Sequence, residues 1–219
     1  EEANPEYFIM QKTLENTFIQ KGISETKLLN TGIPVSSNFI KNAKSIRGEY
    51  NISDDENVIL IMLGSMGFGE IDNIINPLLK EKIKIIVICG TNKQLYEKLN
   101  EYKNDNLIVI GFTKNINDFI YSSDYVLSKP GGLSSTEIAS IHKPLLHIYP
   151  IPGIETYNTL FFENNKMSIK CDTDKEIIDN IKYLMNNEDI CKKMIQNQKK
   201  IINENSASDL VKFILDHFN

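Results

Sequence analysis

From Asn57 onward, unbroken apolar runs alternate with stretches in which apolar positions recur every three or four residues. The runs "NVILIML", "IKIIVIC", "NLIVIGF", "DYVLS" and "PLLHIYP" are strand-length and rich in β-branched residues, and they predict strands. Between them, "INPLLKEK", "KQLYEKLNEY", "INDFIYSS" and "SSTEIASIH" have helical spacing. Strands apolar on both faces, separated by helices, are the pattern of a parallel sheet covered on both sides. The pattern therefore predicts an α/β, Rossmann-like, doubly wound domain.

The two ends depart from that alternation. Glu176 to Asn203 reads as helical, with Ile177, Ile181, Leu184 and Ile190 as the buried positions, and Ala207 to Phe218 as an amphipathic helix carrying Leu210, Val211, Ile214, Leu215 and Phe218 on one apolar face. At the start, "EYFIM" predicts a strand, "QKTLENTFIQKG" a helix stopping at Gly22, and "KLLNTGIPV" an extended stretch. One strand and one helix are too little for a core of their own. Residues 1–34 are thus expected to belong to the end of a preceding domain, residues 35–205 to form the main domain, and residues 206–219 a terminal helix. With Glu1 in first place, the chain is expected to be a piece of something longer.

Composition narrows the chemistry. A net charge of −5 with no basic block argues against a nucleic-acid binder. No apolar run approaches the roughly 20 residues that cross a bilayer. Cys89, Cys171 and Cys191 are odd in number and widely spaced, so neither a zinc site nor a disulfide framework is indicated, and a reducing, cytosolic setting is expected.

In an open parallel sheet, ligands bind beyond the carboxyl ends of the strands. Gly64, Gly67 and Gly69, then Gly90, Gly111, and the pair Gly131 and Gly132 all fall at such ends. Each cluster alone is what a strand-to-helix turn needs anyway; together they favour a nucleotide-type ligand. "GSMGFG" is not G-x-G-x-x-G, and "CGTN" after the second strand holds no acid for a ribose, which disfavours NAD. No P-loop, G-x-S-x-G or H-E-x-x-H is present. Ser134 and Glu137 read equally as a capping box, each satisfying the other's backbone donor, or as a ligand pair on one helix face. Lys129 could face a diphosphate or simply be solvated, and His142 and His147, with no partner at ligand spacing, read as structural.

Read together, "ICGTN", "VIGFTKNINDFIYSSDYVLSKPGGLSSTEIA" and "PIPGIETYN" resemble the monogalactosyldiacylglycerol synthase and processive diacylglycerol glucosyltransferase family. A more distant likeness is to the N-acetylglucosaminyltransferase of peptidoglycan-precursor synthesis. The resemblance implies the C-terminal half of a GT-B glycosyltransferase, which takes the UDP-sugar while an N-terminal half takes the acceptor. It implies a diphosphate-facing loop at Gly64, Ser65 and Gly67, and uracil held by Phe112 and Thr113. It places the diphosphate at Lys129, Pro130, Gly131, Gly132, Leu133 and Ser134, the ribose on Glu137, and the sugar at Gly153, Ile154, Glu155 and Asn158. Ile154 stands where the family has a glutamine, which leaves the hexose, glucose or galactose, open. The implied reaction is inverting hexosyl transfer from the UDP-sugar to a diacylglycerol-type lipid, without a metal or other cofactor. The alternatives are N-acetylglucosaminyl transfer to a polyprenyl-linked acceptor, or a UDP-sugar-binding module. The catalytic base is expected in the N-terminal half, this piece alone is expected to be inactive, and the enzyme is expected at the inner face of the cell membrane.

Overall fold

The computed structural model of the chain describes residues 6–62, 71–81, 83–153 and 155–218. A short leading segment holds β1 (Phe8–Ile9), α1 (Glu15–Gln20), β2 (Leu28–Leu29) and α2 (Ser37–Lys41). The α/β alternation follows as β3 (Val58–Met62), α3 (Asp72–Leu79), β4 (Lys84–Ile88), α4 (Lys93–Asn100), β5 (Leu107–Ile110), α5 (Ile116–Ser122), β6 (Tyr125–Ser128), α6 (Gly132–Ser140), β7 (Leu145–Ile148), α7 (Thr156–Asn164) and β8 (Ile169–Cys171). Three helices close the chain: α8 (Asp174–Met185), α9 (Glu188–Ile201) and α10 (Ser206–Phe218).

The main sheet has six strands in the order β5-β4-β3-β6-β7-β8. Every pairing is parallel, as the apolar runs predict. Strand alternation splits the core into two layers. Ile59, Ile61, Ile85 and Val87 face α3, α8 and α9, while Leu60, Ile86, Val126 and Leu145 face α5, α6 and α7. Many of these side chains are fully buried, each contributing roughly 1.5–3 kcal/mol. From β3 the chain winds outward to β4 and β5, then returns to β6 and winds the other way to β7 and β8. Right-handed crossovers put the helices of the two halves on opposite faces and open a crevice where the order reverses, between the carboxyl ends of β3 and β6.

Local chemistry accounts for where the pattern misled. The helix expected over Glu176 to Asn203 is two helices broken at Asn186 and Asn187, because Asn187 takes non-helical angles as the cap of α9 and is followed by the acidic Glu188 and Asp189. Ile177, Ile181 and Leu184 are buried as expected, but Cys191 and Met194 fill the layer where Ile190 is only partly buried. α7 and β8 were not foreseen, since "NTLFFENNKMSIKC" shows neither clean period.

At the start, the expected strand is only two residues long and pairs in parallel with β2, Phe8 opposite Leu28 and Ile9 opposite Leu29. α1 ends at Gly22, whose φ of +84° only glycine adopts readily. The leading segment is fastened to the far end of the chain. Val35 N–H donates to Ser206 Oγ at 3.0 Å, Asn203 Nδ2 donates to the Thr31 carbonyl at 3.2 Å, and Tyr7 meets Phe213 edge-to-face. α10 leaves Val211, Ile214 and Leu215 exposed beside a groove of about 490 Å³ that it forms with Ser36 and Ser37. No helix among the described residues is long and apolar enough to cross a membrane.

Candidate functional site

The turn from β6 into α6 lies at the crevice. Gly131 N–H folds back onto the Lys129 carbonyl at 2.8 Å, and the Gly131 carbonyl accepts the first helical bond from Ser135 N–H at 2.9 Å. Gly131 is the cap residue and no side chain caps the helix. The amides of Gly132, Leu133 and Ser134 therefore have no acceptor among the described residues, and they carry the positive end of the helix dipole. Ser134 is the third helical residue rather than the cap, so the capping-box reading of Ser134 and Glu137 is not what the chain builds.

Gly131 has an ordinary φ of −69°, and a Cβ built on it would meet nothing within 4 Å among the described residues. No described residue crowds that position, and a side chain there would fill the space in front of the α6 amides. Gly132 differs, since its Cβ would lie 3.1 Å from Ile33 Cδ1 and against Asn158. One turn into α6, the Glu137 carboxylate is half-buried with no hydrogen-bond partner among the described residues. Loss of water pushes its pKa above the usual carboxylate range. A half-buried acceptor and donors that no described residue pairs are suited to a ligand that carries both anionic oxygens and hydroxyls.

The loop after β7 forms the neighbouring wall. Glu155 is buried at the start of α7, and its Oε2 accepts the Ile151 N–H at 2.8 Å, so one carboxylate oxygen braces the proline-rich loop. Gly153 has a φ of +85° and donates its N–H to Thr156 Oγ1 at 2.9 Å. Asn158 Nδ2 donates to the Pro130 carbonyl at 3.0 Å, tying α7 to the β6–α6 turn. Of the expected sugar contacts, Glu155 and Asn158 thus also hold the two loops in place.

Farther along the same edge, Gly90, Thr91, Lys93, Tyr96, Gly111 and Phe112 line a groove of about 360 Å³ after β4 and β5. The Phe112 ring is 68% exposed, a costly position for a phenylalanine that nothing covers. Thr113 Oγ1 accepts the Asn115 N–H at 3.1 Å and starts α5. Two to three strand spacings, roughly 10–14 Å, separate this groove from the β6–α6 turn. Lys93 and Tyr96 were not among the expected contacts, since "KQLYEKLNEY" showed only helical spacing in the sequence. Gly64, Ser65, Gly67 and Ile154 lie outside the described residues.

Both inner histidines have structural partners. His142 bonds the Ala139 carbonyl through Nδ1 and Glu204 through Nε2, each at 2.8 Å. His147 is fully buried, between Ser135 Oγ at 2.9 Å and Ser168 Oγ at 3.0 Å.

Comparison with known proteins gives the chain's family and fold. The profile described as "Glycosyltransferase family 28 C-terminal domain" matches residues 58–213. A processive diacylglycerol beta-glucosyltransferase of Staphylococcus aureus (strain MRSA252) is 30% identical over 219 residues, which cover 95% of this chain and 56% of the relative. The chain thus spans about half the length of that protein. Among solved structures, a UDP-GlcNAc 2-epimerase from Neisseria meningitidis bound to UDP-GlcNAc superposes with a TM-score of 0.68 at 17% identity, over 97% of this chain and 61% of that one. MurG of Acinetobacter baumannii superposes with a TM-score of 0.59 at 19% identity, over 84% of this chain and 57% of that one. Those two likenesses carry the fold alone.

Proposed function

Because the chain belongs to the glycosyltransferase family 28 C-terminal domain family and has the Rossmann-like fold of the C-terminal half of a GT-B enzyme, we propose that it is the donor-binding half of an inverting UDP-hexosyltransferase acting on a diacylglycerol-type lipid. The observation that carries this reading is the set of α6 amides with no acceptor among the described residues, next to the half-buried Glu137, which has no hydrogen-bond partner among the same residues. Relatives named as diacylglycerol glucosyltransferases support the acceptor class.

In this reading the uracil lies in the groove beside Phe112 and Thr113, the diphosphate reaches the amides of Gly132 to Ser134, and Glu137 accepts from the ribose hydroxyls. The Glu155 carboxylate oxygen that does not brace Ile151, with Asn158, faces the hexose. The acceptor hydroxyl attacks the anomeric carbon in line, losing its proton to a base on the N-terminal half, and the bond to the UDP oxygen breaks. The charge growing on UDP is stabilised by the α6 amides and dipole, Ser134 and Lys129, without a metal or other cofactor. Membrane attachment at the inner face of the cell membrane belongs to the same proposal and is assigned to the N-terminal half.

The test is calorimetric titration of the chain with UDP, UDP-glucose, UDP-galactose, UDP-N-acetylglucosamine and ADP in chelator. Binding of the UDP species over ADP, weakened about tenfold or more in Glu137→Ala as expected for a lost charged hydrogen bond, is the expected result; equal binding of ADP, or an unaffected mutant, overturns it. The ranking of the three sugars separates hexosyl from N-acetylglucosaminyl transfer. The chain alone is expected to transfer no sugar, and measurable glycolipid formation by it would remove the need for the N-terminal half.

A further inference from the structure

His147 is a buried polar group that the donor contacts do not use. It sits at the carboxyl end of β7, opposite Ser128 on one side and Lys170 on the other. Its side chain enters the layer formed with Leu145, Val126 and Ile138, otherwise apolar around it. One ring nitrogen reaches Ser135 on α6 and the other reaches Ser168, immediately before β8. The ring also meets Phe162 of α7 edge-to-face at 5.1 Å. A neutral imidazole has one donor and one acceptor nitrogen, and both are used.

We propose that His147 is a positioning residue that fixes the N-terminus of α6 relative to α7, and so sets the spacing between the diphosphate and sugar contacts of the donor site. This rests on the donor-binding reading above.

The character of α6 supports the assignment. Its buried face is largely small and hydroxylic: Ser135, Thr136 and Ser140 are all 2% exposed or less. Thr136 and Ser140 turn their hydroxyls back onto the helix, to the Gly132 and Thr136 carbonyls. Ser135 alone among these three reaches across to the sheet, and it is adjacent to Ser134. Apolar contacts tolerate a sliding or rotating helix, whereas a directional bond to a ring locked by a second bond tolerates little. The same ring packs edge-to-face on Phe162 of α7, whose start carries Glu155 and Asn158, and is held in place by Ser168 at the entry to β8. One side chain therefore references both walls of the crevice to β7. Burial holds the pKa of His147 down to about 3, so the hub stays neutral across the physiological range.

The experiment compares UDP affinity in the native chain, His147→Leu, Ser135→Ala, the triple variant His147→Leu/Ser135→Ala/Ser168→Ala, and Ile181→Val on the opposite face of the sheet. The triple variant leaves no hub hydroxyl or ring nitrogen unpaired, so its thermal stability is expected to recover relative to His147→Leu. Its UDP Kd is still expected to be weaker by about tenfold, the scale on which a small misplacement of binding groups acts. Ser135→Ala, which deletes one oxygen, is expected to weaken UDP in the same direction, and Ile181→Val to leave Kd unchanged despite its own loss of stability. A folded triple variant or Ser135→Ala that binds UDP as tightly as the native chain overturns the assignment while leaving the donor site standing. A native chain that binds no UDP overturns the donor reading and the hub with it.

Discussion

Burial acts on Glu137 and His147 in opposite directions because it always disfavours the charged form. It raises the carboxylate's pKa and lowers the imidazole's. For His147 the consequence is a stability change with a definite sign. Its pKa falls from an ordinary 6.5 to about 3 on folding, so below pH 6.5 the unfolded chain takes up a proton that the folded chain refuses. Stability is then lost as pH falls through that window, with a slope of up to about 1.4 kcal/mol per pH unit for one proton. Urea denaturation at pH 7, 6, 5 and 4 should show that slope in the native chain, and show it reduced in the His147→Leu/Ser135→Ala/Ser168→Ala variant. Equal slopes would mean that other groups dominate the acid response. Neither residue's environment was legible in the sequence. S-x-x-E has the same spacing whether the serine caps a helix or sits inside one, and only the start of α6 at Gly132 decides it. A histidine on an apolar strand shows that something must pair with it, but not that Ser135 and Ser168 do.

At the scale of elements, the unbroken apolar runs were legible because a strand buried on both faces must be apolar throughout. β3 to β7 fall where the runs lie. The splitting of the α8–α9 region was not, because an Asn-Asn pair is common inside helices as well as between them, and α7 and β8 are ordered by contacts that no local period reports. The turns that frame the crevice separate two uses of glycine. Gly131 has ordinary angles and no described residue within 4 Å of a Cβ, so Gly131→Ala should leave the melting temperature nearly unchanged while weakening UDP. Gly153 has a positive φ, so Gly153→Ala should cost about 1–2 kcal/mol of stability. Thermal melts and UDP titration of both variants check this. A Gly131→Ala protein that keeps full UDP affinity would show that the space in front of the α6 amides is not where the phosphates lie.

Over the whole molecule, the leading segment and the last helix form one attachment, and the sheet domain another. β1 and β2 bury little and pair only with each other among the described residues, so their order depends on what fastens them. The fastening is specific: Ser206 is buried, and its hydroxyl accepts the N–H of Val35, which is itself buried. Ser206→Ala strands that amide without an acceptor, at a cost of about 1–3 kcal/mol. The loss should not be shared evenly, because low-stability units open independently of the core. Hydrogen exchange followed by mass spectrometry should show faster exchange over residues 7–35, with β3, β4, β6 and β7 unchanged. Ile33 packs against the Gly132 position, so the same opening reaches the mouth of the crevice. UDP affinity should fall by a few-fold, as a coupling between two contiguous units predicts. Faster exchange spread evenly over the sheet would instead mean that the leading segment and the donor domain unfold as one body.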